Sequence, residues 1–260
     1  MKINKKLVIA CVAAVFLGIA SDLSLKGVHY EVITGEKESP VKIAFLSDVH
    51  NSLYGKGQAE LVEKIKEFGT DIVLFGGDLF DEHNGEDNSW ALVDALKDEY
   101  PCFYAIGNHE GKTSKPEFYK AEMKKRGITV LEDETTVIEV NGRKLRICGM
   151  ENIWDENAKT ELDDIYSILL YHYPTELEEL SKMGFNLVLA GHAHGGQWRV
   201  PFLINGVFSP DEWFFPKYAG GFYSENGTDM IVSRGLYKNI SCLWMPRIFN
   251  RPELVLITLK

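Results

Sequence analysis

Short clusters of metal-binding residue types recur along this 260-residue chain, and four of the five directly follow an apolar run. The clusters are Asp48-Val49-His50, Gly76-Gly77-Asp78, Gly107-Asn108-His109-Glu110, a lone His172 and Gly191-His192-Ala193-His194. They contain five of the seven histidines. Because histidine, aspartate and asparagine together suit divalent metals of intermediate softness, the clusters predict a metal site assembled from distant parts of the chain.

The segments between the clusters alternate between strand and helix patterns. Apolar runs predict strands over Val41–Ser47, Ile72–Phe75, Cys102–Ile106, Ile165–Tyr171 and Leu187–Ala190. Helical spacing predicts helices over Gln58–Phe68, Trp90–Leu96, Ser114–Arg126 and Thr175–Met183, with Ser114 and Thr175 as N-caps. The alternation indicates βαβ units in a largely parallel sheet. A hairpin signal at Asn141-Gly142 favours a mixed core of two sheets over a single open one.

The clusters come after strands, where ligands collect in α/β sheets. In extended backbone, residues i and i+2 point to one side, so Asp48 and His50 are predicted to face one site, as are His192 and His194. Asp78 is suited to bridge two metals because a carboxylate has two oxygens. Two metals about 4 Å apart would hold a phosphoryl group and lower the pKa of a water between them.

Neighbouring residues have less specific signals. Asn108 would add an amide oxygen without adding negative charge, and His109 would stand beside the metals to protonate a leaving oxygen. Glu110 is interpreted as a structural partner of its own loop. For Asp81, orientation of a metal ligand is one of the open roles. Arg234 is predicted either to contact a substrate phosphate or to form a plain salt bridge.

The N-terminus predicts delivery to a membrane. Lys2, Lys5 and Lys6 precede an apolar run from Leu7 to Ala20, the pattern of a signal peptide or an uncleaved signal anchor. We therefore divide the chain into a signal segment (residues 1–25), a tether (26–40) and one catalytic domain (41–260). The domain is expected on the outer face of the cell membrane, or secreted if the segment is cleaved.

The composition disfavours some binding partners and some kinds of metal site. The formal net charge is −10, which disfavours binding to long nucleic acids. The four cysteines form no CxxC pair, so a thiolate zinc site is not indicated. An aromatic segment from Trp198 to Tyr223 holds nine aromatic residues in 26 positions. We interpret it either as a hydrophobic loop folded on the core or as an apolar lip that grips a lipid or touches the bilayer.

Taken in order, the clusters resemble the motifs of the calcineurin-like metallophosphoesterase superfamily, from about Val41 to Lys260. The sequences GHAHGGQ at residues 191–197 and VSRG at 232–235 resemble a branch with an N-terminal membrane or export segment. That branch includes bacterial envelope phosphodiesterases and related lipid pyrophosphatases. The resemblance implies an α/β fold, a four-layer α/β/β/α sandwich, with a dinuclear metal site at its edge.

The resemblance also implies a role for each matching residue. One divalent metal would be held by Asp48, His50 and His194, the other by Asn108, His172 and His192, with Asp78 bridging and His109 acting as the general acid. The cofactors would be two divalent metal ions, with Mn, Fe, Zn, Co and Ni as the candidates. No ligand of the family's set is missing, which favours an active enzyme.

The expected activity is hydrolysis of a phosphodiester by a metal-dependent phosphoesterase. The substrate is a phosphoester, with lipid-linked or envelope-linked compounds as the leading class. Two alternatives remain open from the sequence: a nucleotide or nucleic-acid phosphohydrolase that uses the same metals, and a membrane-tethered binding protein without catalysis.

Overall fold

The computed structural model describes residues 18–35, 39–152, 164–238 and 245–260. Its strands are β1 (Lys26–Val32), β2 (Val41–Leu46), β3 (Ile72–Gly76), β4 (Cys102–Ala105), β5 (Thr129–Val130), β6 (Thr135–Val140), β7 (Arg143–Met150), β8 (Ser167–Tyr171), β9 (Leu187–Ala190), β10 (Phe208–Ser209), β11 (Trp213–Phe214), β12 (Gly221–Glu225), β13 (Thr228–Val232) and β14 (Glu253–Leu259). Its helices are α1 (Ala59–Phe68), α2 (Asp87–Leu96), α3 (Asn108–Lys112), α4 (Pro116–Lys125) and α5 (Leu177–Lys182), with 3-10 turns at Lys56–Gln58 and His194–Gly196.

Twelve of these strands form two six-stranded sheets. The first has the order β1-β14-β2-β3-β4-β5 and is parallel except where β14 meets β2. The second has the order β12-β13-β9-β8-β7-β6, with antiparallel pairs at its two edges and parallel pairs between them. Strands β10 and β11 form a separate hairpin.

The two sheets stack face to face with helices outside. Along β2, Ile43 and Phe45 enter the core between the sheets, while Ala44 and Leu46 enter the core beneath the first sheet's helices. This alternation follows from the two-residue period of a strand. A third core packs α5 against the outer face of the second sheet. The predicted four-layer α/β/β/α sandwich is therefore confirmed.

Several local predictions are confirmed and others are wrong. The hairpin at Asn141-Gly142 joins β6 to β7, and both turn residues have positive φ (54° and 81°), as a tight two-residue turn requires. Neither predicted N-cap acts as one, because α4 is preceded by Lys115 and α5 by Glu176. Helix α4 begins at Pro116, and proline suits the first helical position because its missing N–H removes one of the unpaired donors there.

The predicted tether over residues 26–40 differs from the structure in its first half. Lys26–Val32 form β1, the parallel edge strand beside β14. Two side chains that precede residue 41, the predicted start of the domain, are buried: Leu25 is 4% and Val32 is 2% exposed. This segment therefore belongs to the sandwich. The apolar run of the predicted signal segment lies largely outside the described residues. Within the described residues, no helix is both long and apolar enough to cross a membrane.

Candidate metal centre

Five parallel strands, three from one sheet and two from the other, end at one edge of the sandwich. From the first sheet, β2 leads to Asp48 and His50, β3 leads to Asp78, and β4 leads to α3, which begins at Asn108. From the second sheet, β8 leads to His172, and β9 leads to His192 and His194. The clusters therefore meet where parallel strands end, as expected for a ligand site of an α/β protein.

The backbone is left-handed, not extended, at five of the potential ligands. The φ angles of Asp48, His50, Asp78, His192 and His194 are 51°, 44°, 54°, 65° and 47°. The predicted extended backbone at Asp48, His50, His192 and His194 is therefore wrong, although the side chains do converge. A non-glycine residue in this region costs about 1–3 kcal/mol, and such costs concentrate at functional sites.

The first group of potential ligands is Asp48, His50 and His194, whose ligand atoms lie within 4.8 Å of one another. Nε2 of His194 is 3.7 Å from Oδ1 of Asp48. Asp48 also accepts a hydrogen bond from Ser47 Oγ (2.7 Å) and one from the backbone N–H of His192 (2.9 Å). The carboxylate is thus held firmly and stays ionised, as a metal ligand must.

The second group is Asp78, His172 and His192. Nε2 of His172 lies 3.1 Å from Oδ2 of Asp78. The amide of Asn108 belongs to the same group, since one of its terminal atoms is 2.7 Å from Nδ1 of His192 and 3.3 Å from Nε2 of His172. Nε2 of His50 is 3.7 Å from the same Asp78 oxygen. Asp78 therefore stands between both groups.

Hydrogen bonds on the far side of each ring set which nitrogen faces the centre. Nδ1 of His172 lies 2.8 Å from the carbonyl oxygen of Gly76, and Nδ1 of His50 lies 3.1 Å from Oδ2 of Asp81. Both contacts place the ring proton on Nδ1 and leave Nε2 as a lone-pair donor. Asp81 therefore has the orienting role that the sequence left open.

Unpaired buried atoms and shifted pKa values indicate that this centre is suited to bind cations. His50 Nε2 and His194 Nδ1 are buried and have no hydrogen-bond partner among the described residues, which is unusual in a folded protein. Burial lowers the pKa of His194 to about 3, so that ring is neutral. Burial lowers the pKa of His172 as well, but Asp78 outweighs it and raises that pKa to about 10. A cation would replace the His172 proton beside Asp78.

His109 lies beside these groups and is only partly buried, with 29% of its side chain exposed. Its Nδ1 is 2.9 Å from Oε2 of Glu82, and its ring meets that of His50 edge-on at 4.7 Å. Its backbone N–H donates to Oδ1 of Asp78 (2.8 Å). The contact with Glu82 holds the Nδ1 side of the ring, so Nε2 is the nitrogen left to exchange a proton with a bound molecule.

The structure confirms the loop-partner interpretation of Glu110. Its carboxylate accepts hydrogen bonds from the backbone N–H groups of Asp78, Leu79, Phe80 and Gly107, at 2.6–3.1 Å. Glu110 thereby joins the loop after β3 to the loop after β4. Burial, with Asp78 nearby, raises its pKa to about 7, while these N–H donors favour the carboxylate.

The remaining sequence candidate, Arg234, contacts other partners. Its Nε lies 3.4 Å from Oε2 of Glu253, and Nη2 donates to Asn205 Oδ1 (2.9 Å) and to the carbonyl oxygen of Gly220 (3.2 Å). This is the salt-bridge role, the second of the two that the sequence left open. These contacts stabilise the chain around residues 205–220 instead of presenting a free guanidinium to a substrate.

Sequence reasoning missed three residues that support the centre. Oδ2 of Asp211 lies 3.0 Å from Nε2 of His192, and this contact lowers the pKa of Asp211. Glu82 contacts His109, and Asn250 donates to the carbonyl oxygen of His194 (2.7 Å). Glu82 lies near the Asp78 cluster in sequence, which was a usable signal. Asp211 and Asn250 lie in no recognisable motif.

Comparison with known proteins agrees with this geometry. The family model described as calcineurin-like phosphoesterase matches residues 41–196. The chain is 29% identical over 235 residues to phosphodiesterase YaeI of Escherichia coli strain K12, covering 86% of this chain and 84% of that protein. It is also 29% identical over 231 residues to the uncharacterized metallophosphoesterase YkuE of Bacillus subtilis strain 168, covering 84% of this chain and 79% of that one.

Solved structures show only a distant likeness. The crystal structure of TT1561 of Thermus thermophilus aligns with 77% of this chain and 92% of its own, at 16% identity and a TM-score of 0.49. The family assignment therefore comes from the sequence match over residues 41–196, which contains all five clusters.

Proposed function

Because the chain belongs to the calcineurin-like phosphoesterase family, and is thus a phosphoester hydrolase that uses two divalent metals, we propose that it is a phosphodiesterase acting on lipid-linked or envelope-linked substrates. The observation that carries the hydrolytic part is the position of Asp78 Oδ2, which lies 3.7 Å from Nε2 of His50 in one group and 3.1 Å from Nε2 of His172 in the other. The printed name of the E. coli relative, a phosphodiesterase, supports a diester as the substrate.

The ligand roles follow from which atoms face each other. Asp48, His50 and His194 would hold one cation and Asn108, His172 and His192 the other, with Asp78 between them. When bound, the cations supply positive charge for the phosphoryl oxygens and lower the pKa of water. The donors are imidazole nitrogens and hard oxygens, which suits Mn, Fe, Zn, Co or Ni.

The chain's own contribution to the reaction is a proton. Hydrolysis forms a bond from a water oxygen, which gives up a proton, to phosphorus and breaks the bond from phosphorus to the leaving oxygen, which must gain a proton. His109 is the donor that we propose, from Nε2, with Glu82 stabilising the protonated ring at Nδ1. Glu82 also fixes the ring in place beside the metal ligands.

The aromatic segment from Trp198 to Tyr223 supports the lipid-linked class of substrate. Its hairpin of β10 and β11 carries Asp211, which touches His192, so the hairpin borders the candidate metal centre. On the same hairpin, Phe214 and Phe215 are 68% and 66% exposed. Exposed apolar side chains beside a hydrolytic site are suited to contact the hydrocarbon part of a substrate.

One experiment tests hydrolysis and its metals. Purified protein with manganese should hydrolyse bis-p-nitrophenyl phosphate, and Asp78→Ala should lose both turnover and bound metal, because both groups share that carboxylate. Asp98→Ala is the matched control, since that side chain is 79% exposed. Absence of turnover by the wild-type protein with every divalent metal in the set would contradict the proposal.

A second experiment tests the substrate class. The double variant Phe214→Ser, Phe215→Ser should lose more turnover on a diacylglycerol-linked phosphodiester in mixed micelles than on bis-p-nitrophenyl phosphate. Phe118→Ser is the control, being an exposed phenylalanine on α4. Equal losses on both substrates would contradict a lipid-linked substrate. Faster turnover of nucleotides than of the lipid would favour the nucleotide alternative.

The membrane location is part of the same proposal. The basic and apolar pattern of residues 2–20 supports a catalytic domain on the outer face of the cell membrane, or a secreted domain if the segment is cleaved. Protease added to intact cells should then degrade the domain, or the domain should be found in the medium. A protease-resistant pool inside intact cells would contradict it.

A further inference from the structure

The strongest unexplained feature is a concentration of exposed apolar side chains, which we call the apolar rim. Thirteen large hydrophobic side chains are exposed among the described residues, and seven of them fall within a short stretch of the aromatic segment. They are Trp198, Val200, Phe202, Leu203, Trp213, Phe214 and Phe215. A concentration of exposed apolar side chains of this kind indicates a contact surface for another apolar body.

Backbone hydrogen bonds keep part of the rim exposed to solvent. Between Val200 and Ile204 the chain forms a tight turn, with hydrogen bonds from Val200 N to Ile204 O (3.0 Å) and from Leu203 N to Val200 O (2.9 Å). At its tip, Phe202 is 106% and Leu203 83% exposed. A defined turn that presents two large apolar residues to solvent has no role in packing the sandwich.

Three of the rim's aromatic residues also have unfavourable backbone conformations. The φ angles of Phe202, Trp213 and Phe215 are 69°, 57° and 56°. Bulky residues are rare in this left-handed region, and each costs about 1–3 kcal/mol. Asparagine or glycine would remove the strain and the exposure together. Aromatic rings at these positions therefore indicate a function for the rings themselves.

The rim lies next to the point where the predicted membrane segment joins the domain. The apolar run from Leu7 ends at Ala20, whose carbonyl oxygen accepts the N–H of Phe249 (2.7 Å). The preceding residue, Ile248, pairs with Trp198 at the base of the Val200–Ile204 turn. A bilayer that receives the N-terminal segment would thus lie close to the rim.

We propose that the apolar rim docks on the surface of a lipid bilayer, with Phe202, Leu203 and Trp213 entering the boundary between headgroups and acyl chains. The proposal deepens the proposed action on lipid-linked substrates and rests on it. The seven side chains of the rim carry no charge, and the chain's net charge is −10. The partner that fits is therefore an uncharged or zwitterionic lipid surface, contacted by aromatic rings and not by basic residues.

Docking at the rim would bring the candidate metal centre to the membrane. The backbone N–H groups of Val207 and Trp198 both donate to the carbonyl oxygen of Gly196, in the turn that begins at His194. The other half of the rim is tied to His192 through Asp211. Both halves of the rim are therefore joined to ligand loops, and a phosphate at the headgroup level would lie near the catalytic residues.

The test is depth-dependent fluorescence quenching of the full chain. Wild-type protein is reconstituted in phosphatidylcholine vesicles, with or without bromine at acyl carbons 6 and 7, and tryptophan emission is compared. Removing Trp213 in Trp213→Leu should lower the quenched fraction, because the tryptophan that enters the boundary is gone. Phe202→Ser combined with Leu203→Ser should lower quenching in the protein that keeps Trp213, whereas Phe118→Ser should leave it unchanged.

The outcomes separate this inference from the proposed hydrolysis. The same quenched fraction with and without Trp213 would overturn docking, and so would concentration-dependent dimers in detergent that bury the rim instead. Replacing a third of the lipid by phosphatidylglycerol should not strengthen quenching; a large gain would overturn the zwitterionic partner. Turnover of bis-p-nitrophenyl phosphate in the same samples reports the metal centre, so either idea can fail while the other stands.

Discussion

His192 and Asp211 lie in contact, with Nε2 of the ring 3.0 Å from a carboxylate oxygen. His192 follows β9 in the core of the second sheet, while Asp211 lies in the turn between β10 and β11. The contact leaves Nδ1 of the ring facing the amide of Asn108, so the aromatic segment takes part in orienting a metal ligand.

Asp211→Asn should therefore weaken metal binding and turnover together. An outer hydrogen-bond partner of a ligating histidine is typically worth about 10–100-fold in affinity or activity. Metal content by elemental analysis and turnover of bis-p-nitrophenyl phosphate measure both. Asp98→Asn, a change at an exposed aspartate, is the control. Unchanged metal affinity in the Asp211 variant would show that the contact does not orient His192 for binding.

His109→Asn should reduce turnover while bound metal stays near the wild-type level. A positioned general acid contributes about 10²–10⁴-fold, and the His109 side chain is not needed to hold either cation in the proposed arrangement. Glu82→Gln should cause a smaller fall, since the ring remains but loses its charged partner. His29→Asn, on the exposed edge strand β1, should have no effect. Loss of metal from the His109 variant would make it a ligand instead of a proton donor.

Gly77→Ala should disturb the site far more than the same change at Gly142. Both glycines have positive φ, 88° and 81°, so the backbone strain of an alanine is similar. A Cβ at Gly77 would lie 2.7 Å from Gly107 Cα and 2.8 Å from Nδ1 of His172, whereas Gly142 has open space around it. We expect loss of bound metal only at Gly77. Urea unfolding would show the shared strain of about 1–2 kcal/mol in both.

Cys102 should resist alkylation in the folded protein at pH 8. Burial raises the pKa of its thiol to about 12, so the reactive thiolate is about 10³-fold scarcer than for a free thiol. Iodoacetamide labelling followed by peptide mass spectrometry, with and without urea, measures the difference. Equal labelling rates in the two conditions would contradict the buried position.

The sequence was informative where chemistry is carried by short local patterns. The apolar strands β2, β3, β4 and β9 and the residues after them could be read directly, because a parallel strand buried on both faces is a continuous apolar run. Parallel strands ending at one edge then bring distant clusters together. The four-layer order could not be derived from these runs alone, and came from the resemblance to a known family.

Other features depend on long-range packing and left no such pattern. β1 reads as polar and mixed because it is an edge strand, and it is recognisable only beside β14. The left-handed backbone at Asp48 and His192 is imposed by the turns that follow buried strands, whereas the sequence argument assumed extended backbone. The contact between Asp211 and His192 depends on the tertiary structure of residues 198–223 and has no local sequence signal.

The ligands that would hold each cation come from both halves of the sandwich, as with Asp48 from one and His194 from the other. A cation at this edge would crosslink the two sheets. Resistance of the protein to heat should then follow the metal supply of its surroundings. A nascent chain in which the two sheets have not yet packed together would lack the complete ligand set. It would therefore not hydrolyse phosphoesters.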